Sequence, residues 1–176
     1  SVVYAASANV HQPLYAASTT RFTYAVDDVG TTKHALNLNY DDTALSRLVF
    51  GANRDIGDVE FTVYKLNGEP ISKYVLPRRV YQYITISSSQ LKDANINYAE
   101  IDFLIDRNWM QNNNIAVEQI ALFSYTNTWE KVRTWSTGST TEYIQFKAQL
   151  PNRLGNLAIG VLETYELPKP EPTNKP

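Results

Sequence analysis

The chain has 176 residues, of which 43% are hydrophobic and 19% charged, and its net charge is −2. This charge argues against nucleic acid or an anionic membrane as a partner, because both bind through a basic face. The absence of cysteine excludes disulfides, thiol nucleophiles and Cys-ligated zinc. The length suits one domain with arms, and no apolar run is long enough to predict a membrane span.

The first 13 residues form a candidate arm. One face of an extended chain would carry the apolar and small residues, which recur at every second position: Val2, Tyr4, Ala6, Ala8 and Val10. Pro13 interrupts this run, because proline cannot donate to a strand ladder. Two interpretations stay open. The segment is either the first strand of its own sheet or a donor strand that pairs with a neighbouring subunit.

Residues 14–166 carry about ten short runs of two-residue alternation, with a turn about every ten residues. The strongest local signal is Asn67-Gly68, which predicts a tight hairpin whose return strand runs over Ile71 to Leu76. A single helical turn is expected within residues 106–114, with Trp109 and Met110 packing inward. No long amphipathic helix is predicted anywhere.

The pattern therefore predicts an all-β fold, an antiparallel β-sandwich that is Ig-like or jelly-roll-like. A barrel is the alternative. We expect an extended N-terminal strand arm over residues 1–13 and the sandwich over residues 14–166. A Pro-rich C-terminal tail or linker follows over residues 167–176. It holds four of the eight prolines, a composition typical of an extended, semi-rigid spacer.

Residues 80 to 160 also carry an ordered set of motifs. They are VYQYI at 80–84, ANI at 94–96 followed by Ala99, Ile101 and Phe103, Trp109-Met110 with Asn113 and Ile115, Tyr125, Trp129, and LAIG at 157–160. This order resembles the PGF-pre-PGF domain of archaeal cell-surface proteins, over about residues 24–163. Where that family usually has P-G-F before the last strand, this chain has PNRLG at 151–155. The resemblance implies an extracellular archaeal module of structural or adhesive type, and it carries over no catalytic residue.

The sequence carries no recognised catalytic motif. Nucleophile motifs, phosphate loops and zinc spacings do not occur, and His11 and His34 have no acidic residue at ligand spacing. Glu100 and Asp102 share one strand face at roughly 6–7 Å, a separation that would suit the paired carboxylates of a glycosidase. We favour the polar side of a half-buried strand instead, and predict that the protein is not an enzyme.

Two binding sites are considered from side-chain chemistry alone. Loop carboxylates of the kind that calcium accepts occur at Asp27, Asp28, Asp41, Asp42, Asp55 and Asp58, although their spacing matches no EF-hand. No other cofactor is indicated. Trp129 and Trp135, flanked by Tyr125 and Tyr143, are a candidate aromatic platform for carbohydrate, although such rings also fill sandwich cores.

The function predicted from these observations is that of a structural subunit. The N-terminal arm would add a strand to an identical neighbour, and the repeated head-to-tail contact would build an extracellular filament or surface coat. The alternative is a monomeric cell-surface module that binds carbohydrate or another surface protein.

Overall fold

A computed structural model describes residues 11–14 and 18–162 of the chain. Two antiparallel sheets pack face to face, so the predicted all-β sandwich is confirmed. The six-stranded sheet has the order β1-β4-β5-β11-β7-β8, with bounds Thr19–Val29, Gly57–Leu66, Val80–Ser87, Gly155–Val161, Ile120–Tyr125 and Trp129–Lys131. The five-stranded sheet has the order β2-β3-β6-β10-β9, with bounds His34–Asn37, Leu45–Ala52, Ile96–Asp106, Tyr143–Gln149 and Arg133–Ser139.

The core lies between the sheets because apolar residues alternate along each strand. Its largest fully buried side chains include four phenylalanines, which come from both sheets: Phe50, Phe61, Phe103 and Phe146. Phe50 of β3 meets Phe61 of β4 edge to face at 4.9 Å, which joins the two layers. Each such ring contributes about 1.5–3 kcal/mol by leaving water.

The hairpin predicted at Asn67-Gly68 is only half right. The chain does turn there, and Gly68 has a φ of +112°. The predicted return strand over Ile71 to Leu76 does not form, because residues 72–74 form a 3-10 helix; the strand that returns antiparallel to β4 is β5, which begins at Val80. Asn67 turns instead toward β1, where its side-chain amide donates to the Thr20 hydroxyl at 2.9 Å. Pro70 and Pro77 bracket the would-be return strand and cannot donate to a ladder.

The described residues contain one α-helix, α1, over Arg107–Asn112, in the region where a helical turn was predicted. The Asp106 carboxylate caps it by accepting from the Asn108 N–H at 2.7 Å. Met110 is buried and the Trp109 ring packs edge to face on Tyr81 at 4.8 Å, as expected. No helix in the described parts of the chain is long and apolar enough to cross a membrane.

Candidate functional site

The predicted arm face itself is outside the described residues, because Val2, Tyr4, Ala6, Ala8 and Val10 all precede residue 11. The base of the arm, His11 to Leu14, is described and lies on the outer face of the six-stranded sheet. Asn156 and Thr85 mark this face, because their strand neighbours Leu157, Ile84 and Ile86 belong to the core between the sheets. Residues 11–14 therefore lie over the start of β11 on this face.

The Asn156 side chain holds this segment through its amide group. Its Nδ2 donates to the Gln12 carbonyl at 3.1 Å, and its Oδ1 accepts from the Leu14 N–H at 3.3 Å. The Thr85 hydroxyl donates to the same Oδ1 at 2.7 Å and so fixes the orientation of the amide. One buried side chain thus supplies the donor and the acceptor that a neighbouring strand would offer to an extended backbone.

A second contact anchors the segment at His11. Its imidazole Nε2 lies 2.8 Å from the Asp93 Oδ2, and the other Asp93 oxygen accepts from the Leu154 N–H at 3.1 Å. The imidazole also packs closely on Gly155, where a Cβ would lie only 3.1 Å from His11 Nδ1. Gly155 has a φ of +130°, which strongly favours glycine, and the close imidazole adds a second constraint on any side chain there. His11 is thus fixed at the start of β11.

Leu14 completes the anchor by packing on an apolar cluster of the same outer face. Its buried members come from four strands and from the connection before β5: Leu66, Leu76, Tyr83, Ala121, Phe123 and Ala158. A sandwich needs only one apolar face per sheet, so a second cluster outside the core indicates a covered surface. The base of the arm therefore has a defined position on the domain.

The two sides of the sandwich differ. On one side β8 ends the six-stranded sheet, and the chain passes through Val132 directly into β9 of the five-stranded sheet. Val132 is buried, and its N–H donates to the Leu122 carbonyl at 2.8 Å. The Thr134 hydroxyl accepts from the Leu122 N–H at 3.0 Å. A continuous strand thus closes this side.

The other side is bounded by β1 and β2, and we call it the open side. Among the described residues, no strand pairs with the outer edge of β1. The inward-facing side chains of β1 are only half-buried, namely Phe22, Tyr24 and Val26, whereas their partners across β4 are 1–2% exposed. β2 spans four residues and β1 spans eleven. The open side therefore presents one long strand edge beside incompletely covered apolar groups.

The structure does not bring Trp129 and Trp135 together, so the predicted two-tryptophan platform is wrong. The two residues do lie on the same side of the chain, but the strand changes sheets between them at Val132. Each ring therefore lies on the outer face of a different sheet. Trp129 is a packing residue, with its indole N–H donating to the Tyr74 carbonyl at 2.8 Å and its ring 5.3 Å from Tyr125. Trp135 stacks with the Arg133 guanidinium at 4.9 Å.

Glu100 and Asp102 lie on the outer face of β6, where Lys147 joins them. The ammonium nitrogen is 3.0 Å from the Glu100 carboxylate and 3.7 Å from that of Asp102. Burial would raise the pKa of Glu100, but hydrogen bonds from Tyr98 and Lys147 outweigh it and lower that pKa. Burial raises the pKa of Asp102 despite Lys147. Both carboxylates are thus engaged in a charge-compensated patch on a strand face.

The loop carboxylates considered for calcium do not converge in the described residues, where no group of three or more acidic or histidine side chains could hold a metal. Asp58 has a backbone role instead, since its carboxylate accepts from the Asp28 N–H at 3.0 Å. His34 is likewise a packing residue, stacked on Phe50 at 5.4 Å and accepting from the Gly30 N–H through Nε2.

Sequence reasoning missed Asn156, Thr85 and Asp93 as anchors of the N-terminal segment. The only signal in the sequence was a polar residue beside a strongly apolar run, as where Asn156 precedes Leu157 to Val161. Comparison with family models, with curated proteins and with solved structures found no match. The resemblance to the PGF-pre-PGF domain therefore stays a prediction.

Proposed function

We propose that the protein is a structural subunit of an extracellular archaeal filament or surface coat. Residues 1–10 of one subunit would add a strand to the open side of the next. The observation that carries this proposal is the outer edge of the eleven-residue strand β1, which pairs with no strand among the described residues and lies beside Phe22, Tyr24 and Val26. A donor strand there would satisfy main-chain groups and cover these half-buried side chains at once.

The arm and the edge match in length and chemistry. Between Arg21 and Asp27 the edge strand has five uncharged residues, and residues 1–10 carry no charged side chain. Phe22, Tyr24 and Val26 face inward at every second position, which is also the spacing of the apolar arm face. Covering each large side chain contributes about 1.5–3 kcal/mol. Ala6 and Ala8 would let the arm approach the inward-facing tyrosine closely.

The anchored arm base supports exchange between subunits. His11 is held beside Gly155 at the start of β11, which is separated from the β1 edge by β5 and β4. Three strand spacings amount to roughly 14 Å. The arm therefore begins at one place on the domain and the proposed acceptor edge lies at another. A contact between two different surfaces is head-to-tail, and it builds an open polymer when its rotation does not close a ring.

The extracellular location and the archaeal source rest on the resemblance described above. The low charged content and the charge-compensated Glu100–Lys147–Asp102 patch support a binding or building role over catalysis.

The test removes the donor and restores it in trans. A chain lacking residues 1–10 keeps its anchor at His11 to Leu14, so we expect a folded monomer by light scattering and circular dichroism. A synthetic SVVYAASANV peptide should bind this monomer and raise its melting temperature, whereas a scrambled peptide should not. Polymers of normal appearance from the truncated chain in negative-stain microscopy would refute strand exchange.

A further inference from the structure

A cleft lies at one end of the five-stranded sheet, and the tyrosine pair at its centre takes no part in the proposed strand assembly. Its centre is a pair of tyrosines, Tyr40 and Tyr143, in edge-to-face contact at 5.8 Å. Tyr40 is 48% exposed, the highest value among the large apolar side chains of the described residues. Half-buried Leu104 lines the cleft beside them. An aromatic pair with one exposed ring beside an apolar side chain is typical of a ligand site.

The cleft consists of two pockets, and the tyrosine pair lines both of them. The larger, about 460 Å³, extends along the β9–β10 connection, where Ser139, Thr140, Thr141, Glu142 and Gln145 line it. The smaller, about 180 Å³, extends under the β2–β3 connection, where its polar lining includes Asp41, Asp42, Lys65, Gln82 and Asp106. Both parts share Tyr40, Leu104 and Tyr143. We call these two adjoining pockets the groove; aromatic rings and polar side chains line it.

Hydrogen bonds hold both walls in place before any ligand arrives. On the β2–β3 side, the Ala44 N–H donates to the Gln82 side chain at 2.8 Å and the Leu104 N–H donates to the Ala44 carbonyl at 2.9 Å. On the β9–β10 side, the Thr140 hydroxyl accepts from the Tyr143 N–H at 3.0 Å. The Arg107 Nε–H donates to the Thr140 carbonyl at 2.6 Å. Such preorganisation lowers the entropic cost of binding.

The charge of the groove restricts its ligand. Four carboxylates surround it, from Asp41, Asp42, Asp106 and Glu142, and Lys65 is the ammonium group in its lining. Partial burial and the nearby Glu142 and Asp41 carboxylates are among the causes that raise the pKa of the Tyr143 hydroxyl. This environment disfavours phosphates, sulfates and uronic acids. The polar walls disfavour lipid.

We propose that the groove binds a neutral carbohydrate. A sugar ring would lie on the exposed face of Tyr40, because the apolar face of a pyranose suits an aromatic surface. Its hydroxyl groups would donate to the Asp41 and Glu142 carboxylates and bond to Gln145. Neither carboxylate has a hydrogen bond or ion pair from a side chain among the described residues, so both keep acceptor capacity.

The groove is independent of the anchor. His11 and Gly155 lie at the start of β11, which pairs with the end of β5, whereas Gln82 and Tyr81 of the groove lie near the start of β5. A subunit could therefore hold a sugar while its arm base stays fixed. The proposal goes beyond strand assembly and adds an adhesive role to each subunit.

The test uses the full chain and a panel of immobilised hexasaccharides of glucose, mannose, galactose and N-acetylglucosamine, with oligogalacturonate as the anionic comparison. We expect at least one neutral sugar to bind, and oligogalacturonate to bind at least about tenfold more weakly. Tyr40→Ala should weaken binding about tenfold, while Tyr40→Phe should retain it because the ring remains. Ile71→Ala is the matched control, because Ile71 is 46% exposed outside the groove.

Two further measurements keep the outcome clear. Melting curves should show that Tyr40→Ala folds, and Glu142→Gln offers a second variant on the exposed β9–β10 connection that should also weaken binding. Failure of the wild-type chain to bind any neutral sugar would overturn the proposal, as would equal affinity of Tyr40→Ala and wild type. A peptide with the sequence of residues 169–176, KPEPTNKP, carries a net positive charge and serves as a protein-like competitor. If the groove binds this peptide more tightly than every sugar, the proposal is overturned and the groove is assigned to protein ligands.

Discussion

Glu100 and Asp102 are two positions apart on β6, yet their neighbours move their pKa values in opposite directions. The Tyr98 hydroxyl donates to Glu100 at 2.6 Å and Lys147 adds a contact at 3.0 Å, which together lower the pKa of Glu100. Asp102 is more deeply buried and farther from Lys147, so burial raises its pKa. Glu100 therefore stabilises the fold above its unfolded pKa of about 4.3. Because the folded state holds the proton of Asp102 more tightly than the unfolded state, the free energy of unfolding falls as the pH rises through the raised pKa of Asp102.

These opposite signs predict opposite effects of two isosteric substitutions. Glu100→Gln should lower the free energy of unfolding at pH 7 by about 1 kcal/mol, through lost charged hydrogen bonds. The deficit should shrink near pH 3, where Glu100 is protonated. Asp102→Asn should leave stability at pH 7 unchanged or higher. Urea titrations at both pH values measure this, and a larger loss for Asp102→Asn than for Glu100→Gln would contradict the assignment.

Single residues also show what the sequence could not reveal about the site. Asn156 contacts Leu14, which is 142 positions away, and His11 contacts Asp93, which is 82 positions away. No periodicity within a strand reports such pairs, because they depend on which strands become neighbours. The predicted arm face followed from local alternation alone, whereas the residues that hold the arm base required the folded chain.

At the scale of the elements, two-residue alternation predicted the strands because each sheet has one face in the core. It did not predict strand order: β11 lies between β5 and β7, and β1 pairs with β4. Nor could it separate Trp129 from Trp135. Alternation continues unbroken through Val132, and only the packing of both sheets shows that the strand crosses from one to the other. This crossing of the strand from β8 to β9 closes one side of the sandwich, and β1 forms an edge at the opposite side.

The arm is the element on which the proposed assembly depends, and a proline tests whether it pairs as a strand. Ala6→Pro removes a backbone donor from the middle of residues 1–10 and fixes φ, so a donor strand should fail there. We expect folded monomers with the melting temperature of the truncated chain. Thr173→Pro is the matched control, because it adds a proline to the Pro-rich tail and should leave polymers intact by light scattering. Normal polymers from Ala6→Pro would show that residues 1–10 do not pair as a strand.

At the scale of the whole molecule, the sandwich is asymmetric. One side is closed by the β8–β9 strand, the other is bounded by the long β1 edge, and the arm base is fixed on an outer face. Natural sheets usually protect such an edge with charge, short strands or a covering segment. Charged residues flank the edge at Arg21 and Asp27, but the stretch between them has none. A donor strand from a neighbour would supply the missing cover.

Disulfide trapping between two differently labelled chains tests the central claim most directly, because the protein has no native cysteine. In the proposed pairing, Ser7 of the arm and Thr23 or Ala25 of β1 face the same outer side, where cross-strand neighbours lie within disulfide reach. Ser7→Cys chains mixed with Thr23→Cys or Ala25→Cys chains should form mixed disulfide dimers. Thr137→Cys on the closed side should give none. Exclusively intrachain disulfides in a Ser7→Cys/Ala25→Cys double variant would contradict exchange between subunits.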